Sequence, residues 1–221
     1  MNWSRASCGR IRSGKIAGTP LPPHGSAADG WKTGDVDADP DIDVLTPCEA
    51  WTAAVPEAPV LCRRVAAKAF RAGAGSSPLL APGLAAAGAE MSITLGDDAL
   101  ARRLNREYRG QDKPTNVLSF AALDDGEMFP EEDPQPVMLG DIVVAFETTS
   151  AEAEAEGILL AHHLSHLVAH GVLHLLGYDH EDDDAADLME GLETAILAGL
   201  GVPDPYSDAH TDDNMRTPAK K

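Results

Sequence analysis

A chain of 221 residues with Lys+Arg 17 against Asp+Glu 36 and a net charge of −19 has room for one domain with a sizeable core plus tails. So acidic a balance argues against broad, charge-driven affinity for nucleic acid or anionic membrane, while leaving room for a local basic groove. Three cysteines, Cys8, Cys48 and Cys62, are odd in number and lack ligand spacing, which points to a reducing compartment without a disulfide framework.

Residues 1–40 are rich in Gly, Pro and Ser with little apolar periodicity, so they are expected to form a disordered tail. Arg5, Arg10, Arg12 and Lys15 make its start basic, and no apolar run follows that would make a secretory signal. Ile42–Leu45 suits a short strand. A helix is expected over 58–72, with Val60, Leu61, Val65, Ala69 and Phe70 as its apolar side. It carries Arg63, Arg64, Lys68 and Arg71 without an acid. A Gly-, Ala-, Ser- and Pro-rich loop over 73–89 precedes a strand at Met91–Leu95, and Asp97 or Asp98 caps a helix that runs to Tyr108. Pro114 breaks helix, and Val117–Phe120 reads as the next strand. The acidic, Pro-rich stretch 124–136 is a loop, and Leu139–Phe146 is a buried strand opened by Gly140 and Asp141.

Three helices should complete the domain. The first is a short polar one over 148–156. The second, over 158–175, belongs to a stretch from Glu156 to Asp179 without a formal charge between them. That is long enough on paper for a membrane span, but its histidines would be costly in lipid, and a buried core helix accounts for it better. The last helix has Leu188, Leu192, Ile196 and Leu200 as its stripe and the acids at 181–184 at its start, where negative charge is welcome. The whole is a mixed α+β domain of residues 41–206, followed by a tail at 207–221.

The chemistry is concentrated in residues 166–180. His170 and His174 are four apart, which on a helix puts both imidazoles on one face about 6 Å apart along the axis. Gly177 tolerates the left-handed dihedrals with which helices end, and the turn it permits brings His180 back toward His174. Three nitrogen ligands from a helix and its following turn make a catalytic zinc arrangement with the fourth position left for water. His162 lies about 18 Å along the axis from His174, too far to share an ion. Pairing His166 with His170 would leave His180 at the wrong end. His166 is therefore read as a packed or supporting histidine, and His162 and His163 as ordinary polar positions. The spacing His-x-x-x-His-x-x-Gly-x-x-His is also that of the long zinc-protease motif, but the general-base Glu after the first His is replaced by Gly171, which can move no proton. The cradle is kept and the peptide-hydrolysis base is missing.

A second feature is a positive stretch, Arg102, Arg103, Arg106, Arg109 and Lys113 against Glu107 and Asp112. Arg109 stands at a helix-to-loop junction beside Gly110, where a side chain can project into a cleft; its structural alternative is an ion pair with Asp112 or Asp141. Together with residues 63–71 this stretch could line one groove that tracks the phosphates of single-stranded RNA.

Asn105-Arg-Glu-Tyr-Arg-Gly, Lys113-Pro-Thr-Asn-Val-Leu-Ser-Phe, Leu139-Gly-Asp-Ile and His170-Gly-Val-Leu-His-Leu-Leu-Gly-Tyr-Asp-His together resemble the YbeY family of bacterial single-strand-specific endoribonucleases. The resemblance implies a small α+β fold, one Zn2+ ion on His170, His174 and His180, and an activity-critical Arg109. It further implies a cytoplasmic enzyme of ribosomal RNA processing (small-subunit rRNA 3′-end maturation and ribosome quality control). Its partners would be single-stranded or ribosomal RNA and the small subunit or its assembly factors, with neither membrane nor DNA among them. Two other classes compete. One is a zinc hydrolase of a peptide or ester with Asp179 or Asp141 as base. The other is a non-catalytic ribosome-assembly factor whose zinc is structural and closed by a fourth ligand.

Overall fold

The computed structural model describes residues 11–12, 39–79, 88–123, 136–180 and 182–207. Most of the expected N-terminal tail, the middle of the Gly/Ala-rich loop, the acidic loop and nearly all of the C-terminal tail lie outside the described residues. The chain is α+β, with a five-stranded sheet in the order β1-β4-β5-β3-β2. The strands are β1 (Ile11–Arg12), β2 (Asp41–Leu45), β3 (Ala89–Gly96), β4 (Val117–Ala121) and β5 (Val137–Ala145). The pairs β2–β3, β3–β5 and β1–β4 are parallel, and β4–β5 is antiparallel. The helices are α1 (Glu49–Ala54), α2 (Ala58–Gly73), α3 (Asp98–Arg109), α4 (Phe146–Glu156), α5 (Leu160–Leu175) and α6 (Asp183–Ala198).

Strand alternation divides the helices into two layers. Val117, Ala121, Ile142 and Val144 face a large core shared with Val65, Ala69 and Phe70 of α2 and Val168, Val172 and Leu175 of α5. Leu118 and Val143 point the other way and meet Leu100, Leu104 and Tyr108 of α3. α6 covers the outside of α2 and α5. α5 is buried almost all round, as expected of a core helix, and among the described residues no single helix is long and apolar enough to cross a membrane.

Asp97 caps α3 by accepting from the Leu100 amide at 2.8 Å, so the first of the two candidate caps is the one used. Two apolar readings need correction, and one helix is absent from the expected elements. Helix α1 lacks a stripe that periodicity could find; only Trp51 on it is buried, with Nε1 donating to the Gly96 carbonyl at 3.0 Å. On α2 the buried face runs through Ala58, Cys62, Val65 and Ala69, leaving Val60 exposed. On α6 the face that meets α2 and α5 is Ala186, Met189, Glu193 and Ile196–Leu197, and Leu188 points to solvent. In the last two cases the true stripe is rotated from the most hydrophobic one because it includes small or charged residues.

Gly140 marks the irregular point of the sheet. Glu90 pairs with Met138 but Met91 with Gly140, so Leu139 is a bulge. Gly140 has φ +130°, and a Cβ there would lie 2.0 Å from the backbone oxygen of Phe120. Backbone cannot yield as a side-chain tip can. We expect Gly140→Ala to destabilise the domain by roughly 3 kcal/mol, read from urea unfolding midpoints.

Candidate metal centre

The centre is built by the end of α5. Leu173 and His174 carbonyls accept from the amides of Tyr178 (3.0 Å) and Gly177 (3.1 Å), a glycine-terminated helix end. Gly177 has φ +90°, and a Cβ on it would overlap Leu79 at 2.5 Å, so the turn needs glycine on two counts. The Tyr178 hydroxyl donates to the Gly73 carbonyl at 2.8 Å, fastening the turn to the end of α2. Asp179 Oδ1 accepts from the His180 amide at 2.7 Å. The ring of His180 then lies 5.2 Å from that of His174 and 5.7 Å from that of His170, centroid to centroid.

His170, His174 and His180 each offer one ligand atom, all within 4.8 Å of one another. The bonds at the far side of two rings decide which nitrogens face inward. His174 Nδ1 lies 3.0 Å from the Tyr178 carbonyl, which can only accept, so Nδ1 carries the proton and Nε2 the lone pair. His170 Nδ1 lies 2.7 Å from Glu193 Oε1. Burial pushes the Glu193 carboxyl up, but the charge of His170 and hydrogen bonds from His166 and His170 outweigh it and hold it well below the usual carboxylate range. An ionised carboxylate only accepts, so this Nδ1 also donates. The two Nε2 atoms face each other at 3.0 Å. Two lone pairs that close repel unless a positive centre lies between them: a shared proton in the bare protein, or a metal ion. The donor set therefore fits a divalent ion bound by imidazole. Among the described residues no fourth His, Cys, Asp or Glu side chain joins this trio.

A second trio, His166, His170 and Glu193, also brings ligand atoms within 4.8 Å. There, however, both oxygens of Glu193 already accept from ring nitrogens, with His166 Nε2 at 2.9 Å. His166 is thus the supporting histidine expected of it. His163 is not an ordinary polar position: it is fully buried and its Nε2 lies 2.8 Å from Glu152 Oε2. Glu193 escaped the sequence reading because a lone Glu in a leucine-rich helix resembles a surface position. Its signal was the four-residue step from Met189 through Glu193 to Leu197.

Arg109 occupies the last turn of α3, half-buried, in the layer across the sheet from α5. Asp112 is gripped by Arg102 through two bonds of 2.9 and 3.0 Å, and Asp141 accepts from Ser92. The two basic stretches do not line one groove. α2 and α3 lie on opposite faces of the sheet, and Arg63 and Arg71 are engaged by the Ile42 carbonyl and by Asp39. Asp141 alternates with Ile142, which faces α5, and so sits on the α3 side, away from the histidines. Gly171 turns toward the sheet: a Cβ on it would meet Ile142 at 3.0 Å and Ser119 Oγ at 3.2 Å. A glutamate there would enter the helix–sheet contact.

The family model described as Endoribonuclease YbeY matches residues 79–201. The chain belongs to the YbeY endoribonuclease family. It is 54% identical over 168 residues to an Endoribonuclease YbeY of Paramagnetospirillum magneticum, covering 76% of this chain and 96% of the relative. It is 53% identical over 169 residues to that of Azorhizobium caulinodans, with 76% and 96% covered. The solution structure of TM1509 from Thermotoga maritima is 19% identical with a TM-score of 0.41, covering 77% of this chain and 99% of that one.

Burial, reinforced by the neighbouring charge of His170 and opposed by the Tyr178 carbonyl, holds His174 well below the ordinary value of 6.5. Below that pH the unfolded chain takes up a proton at residue 174 while the folded one stays neutral, so acid favours unfolding. For metal-free protein we expect His174 to contribute a stability loss approaching about 1.4 kcal/mol per pH unit below about 6.5. Comparison of urea midpoints at pH 7.5 and 5.5 for wild type and His174→Gln isolates that slope. Restoring the protease-like acid with Gly171→Glu should destabilise by at least about 3 kcal/mol and give no peptidase activity, read by thermal melting and a peptide-substrate assay.

Proposed function

We propose that this chain is a zinc-dependent endoribonuclease that cuts single-stranded RNA in ribosomal RNA processing, acting in the cytoplasm on the small ribosomal subunit or its precursors. Family membership supports the nuclease activity. The observation that carries the metal dependence is the pair of Nε2 atoms held face to face, their Nδ1 protons committed elsewhere. His170, His174 and His180 would hold the ion, and three protein ligands leave a place for a substrate or water oxygen. When bound, the ion supplies Lewis acidity to a phosphate or water oxygen.

The protein's own contribution is orientation and charge. Glu193 and the Tyr178 carbonyl fix the two α5 imidazoles in one tautomer, so that neither of these two ligands has to rotate or lose an Nδ1 proton. The family's Tyr-Arg-Gly word, and not contact with the histidines, assigns Arg109 to the phosphate: its planar fork would pair two non-bridging oxygens and offset the charge that grows on them in the transition state. A lysine would keep the charge and lose the fork. A peptide hydrolase fits less well, because Gly171 can move no proton and is pressed against the sheet, Asp141 already accepts from Ser92, and Asp179 is held in the turn.

We expect purified protein to carry about one zinc per chain and to cleave single-stranded RNA. His174→Ala should lose both metal and cleavage. Arg109→Ala should keep the metal and lose turnover by about a hundredfold or more, with Arg109→Lys between the two. Metal analysis beside a single-turnover RNA assay checks all three; full cleavage by Arg109→Ala would remove that residue from the mechanism.

A further inference from the structure

The best-enclosed charge in the described structure belongs to a residue the metal centre does not use as a ligand. The Glu193 side chain is 1% exposed and stands in the apolar face of α6 between Met189 and Leu197. Three donors converge on its two oxygens: His170 Nδ1 at 2.7 Å on Oε1, and His166 Nε2 at 2.9 Å with the Tyr206 hydroxyl on Oε2. Tyr206 comes from the segment after α6, beyond the residues that match the family model, which end at 201. A local turn sets it in place: Asp204 Oδ1 accepts from the Tyr206 amide at 2.9 Å and from Thr194 Oγ1 at 3.2 Å, and Ser207 Oγ donates to the Asp204 carbonyl at 2.8 Å. Its ring meets that of His166 edge-on at 5.7 Å.

We infer that Glu193 is the positioning residue of the metal centre and that Tyr206, on the strap after α6, holds Glu193 in that role. The inference rests on the proposed metal site. A carboxylate on Nδ1 of a ligand imidazole fixes the ring and makes Nε2 a better donor to an ion. The second oxygen, fastened by His166 and Tyr206, keeps the carboxylate from turning away. The ion's affinity would thereby be coupled to a segment outside the helix and turn that carry the ligands.

The test measures zinc affinity of the full chain by competition with a chromophoric chelator, for wild type, Glu193→Gln, Tyr206→Phe and the double variant, with metal-free melting curves alongside. An amide offers one acceptor where the carboxylate offers two, so Glu193→Gln should weaken zinc about 10- to 100-fold. Tyr206→Phe, which removes one hydrogen bond, should weaken it about 3- to 10-fold. Because Tyr206 acts through Glu193, the double variant should bind no worse than Glu193→Gln. A purely structural Glu193 would lower the melting temperature and leave zinc affinity in the folded fraction unchanged, and that result overturns the assignment. So does full additivity in the double variant. If Glu193→Gln fails to fold, Tyr206→Phe decides alone: weakened zinc supports the coupling and unchanged zinc refutes it. Wild type that takes up no zinc refutes the metal centre and this inference together, whereas normal uptake by wild type and variants alike refutes this inference only.

Discussion

A row of imidazoles inside a core helix is the constraint from which the rest of the structure follows. α5 is buried nearly all round, and an imidazole inside a core is costly unless hydrogen bonds offset its lost hydration. Each histidine therefore dictates something about the element facing it. His163 requires Glu152 of α4, which also accepts from Asn116 at the start of β4. His166 and His170 require Glu193 of α6. His174 requires the carbonyl of Tyr178 and hence the glycine turn that aims it. The helices around α5 are selected for apolar contact and also for the one acceptor each must deliver.

This arrangement turns a structural necessity into a chemical one. Once the outer nitrogens of His170 and His174 are committed, the inner pair faces each other at 3.0 Å, a separation that calls for a positive centre between them, a shared proton or a metal ion. In the proposed centre, metal affinity and core packing would be the same set of contacts viewed from two sides of the ring. It also explains why a domain so acidic overall can hold a cation site built without carboxylate ligands: the nearest buried carboxylate is used behind the ring, where it orients a ligand.

Gly171 shows the same economy between packing and chemistry. Its neighbours in sequence include two of the candidate ligands, yet its own role is to let α5 approach Ile142 and Ser119. A side chain at that position would have to displace Ile142 and Ser119 before it could turn toward the histidines.

Local pattern in the chain was enough to determine most of the strands and helices, the four-residue step of His170 and His174, and the glycine turn that returns His180, because these rest on periodicity and on backbone preferences within a few residues. It also sufficed, through four short words, to identify the family. Tertiary structure alone decided the partners of the buried nitrogens. Glu193 and Glu152 are 23 and 11 residues from their histidines, and Tyr206 is 13 residues beyond Glu193. It likewise decided that the two basic stretches fall on opposite faces of the sheet, and that Val60 and Leu188 are exposed. In each case the physical reason is the same: burial is a property of what packs against a side chain, and a helix chooses its inward face by the neighbours it meets as well as by its own hydrophobicity.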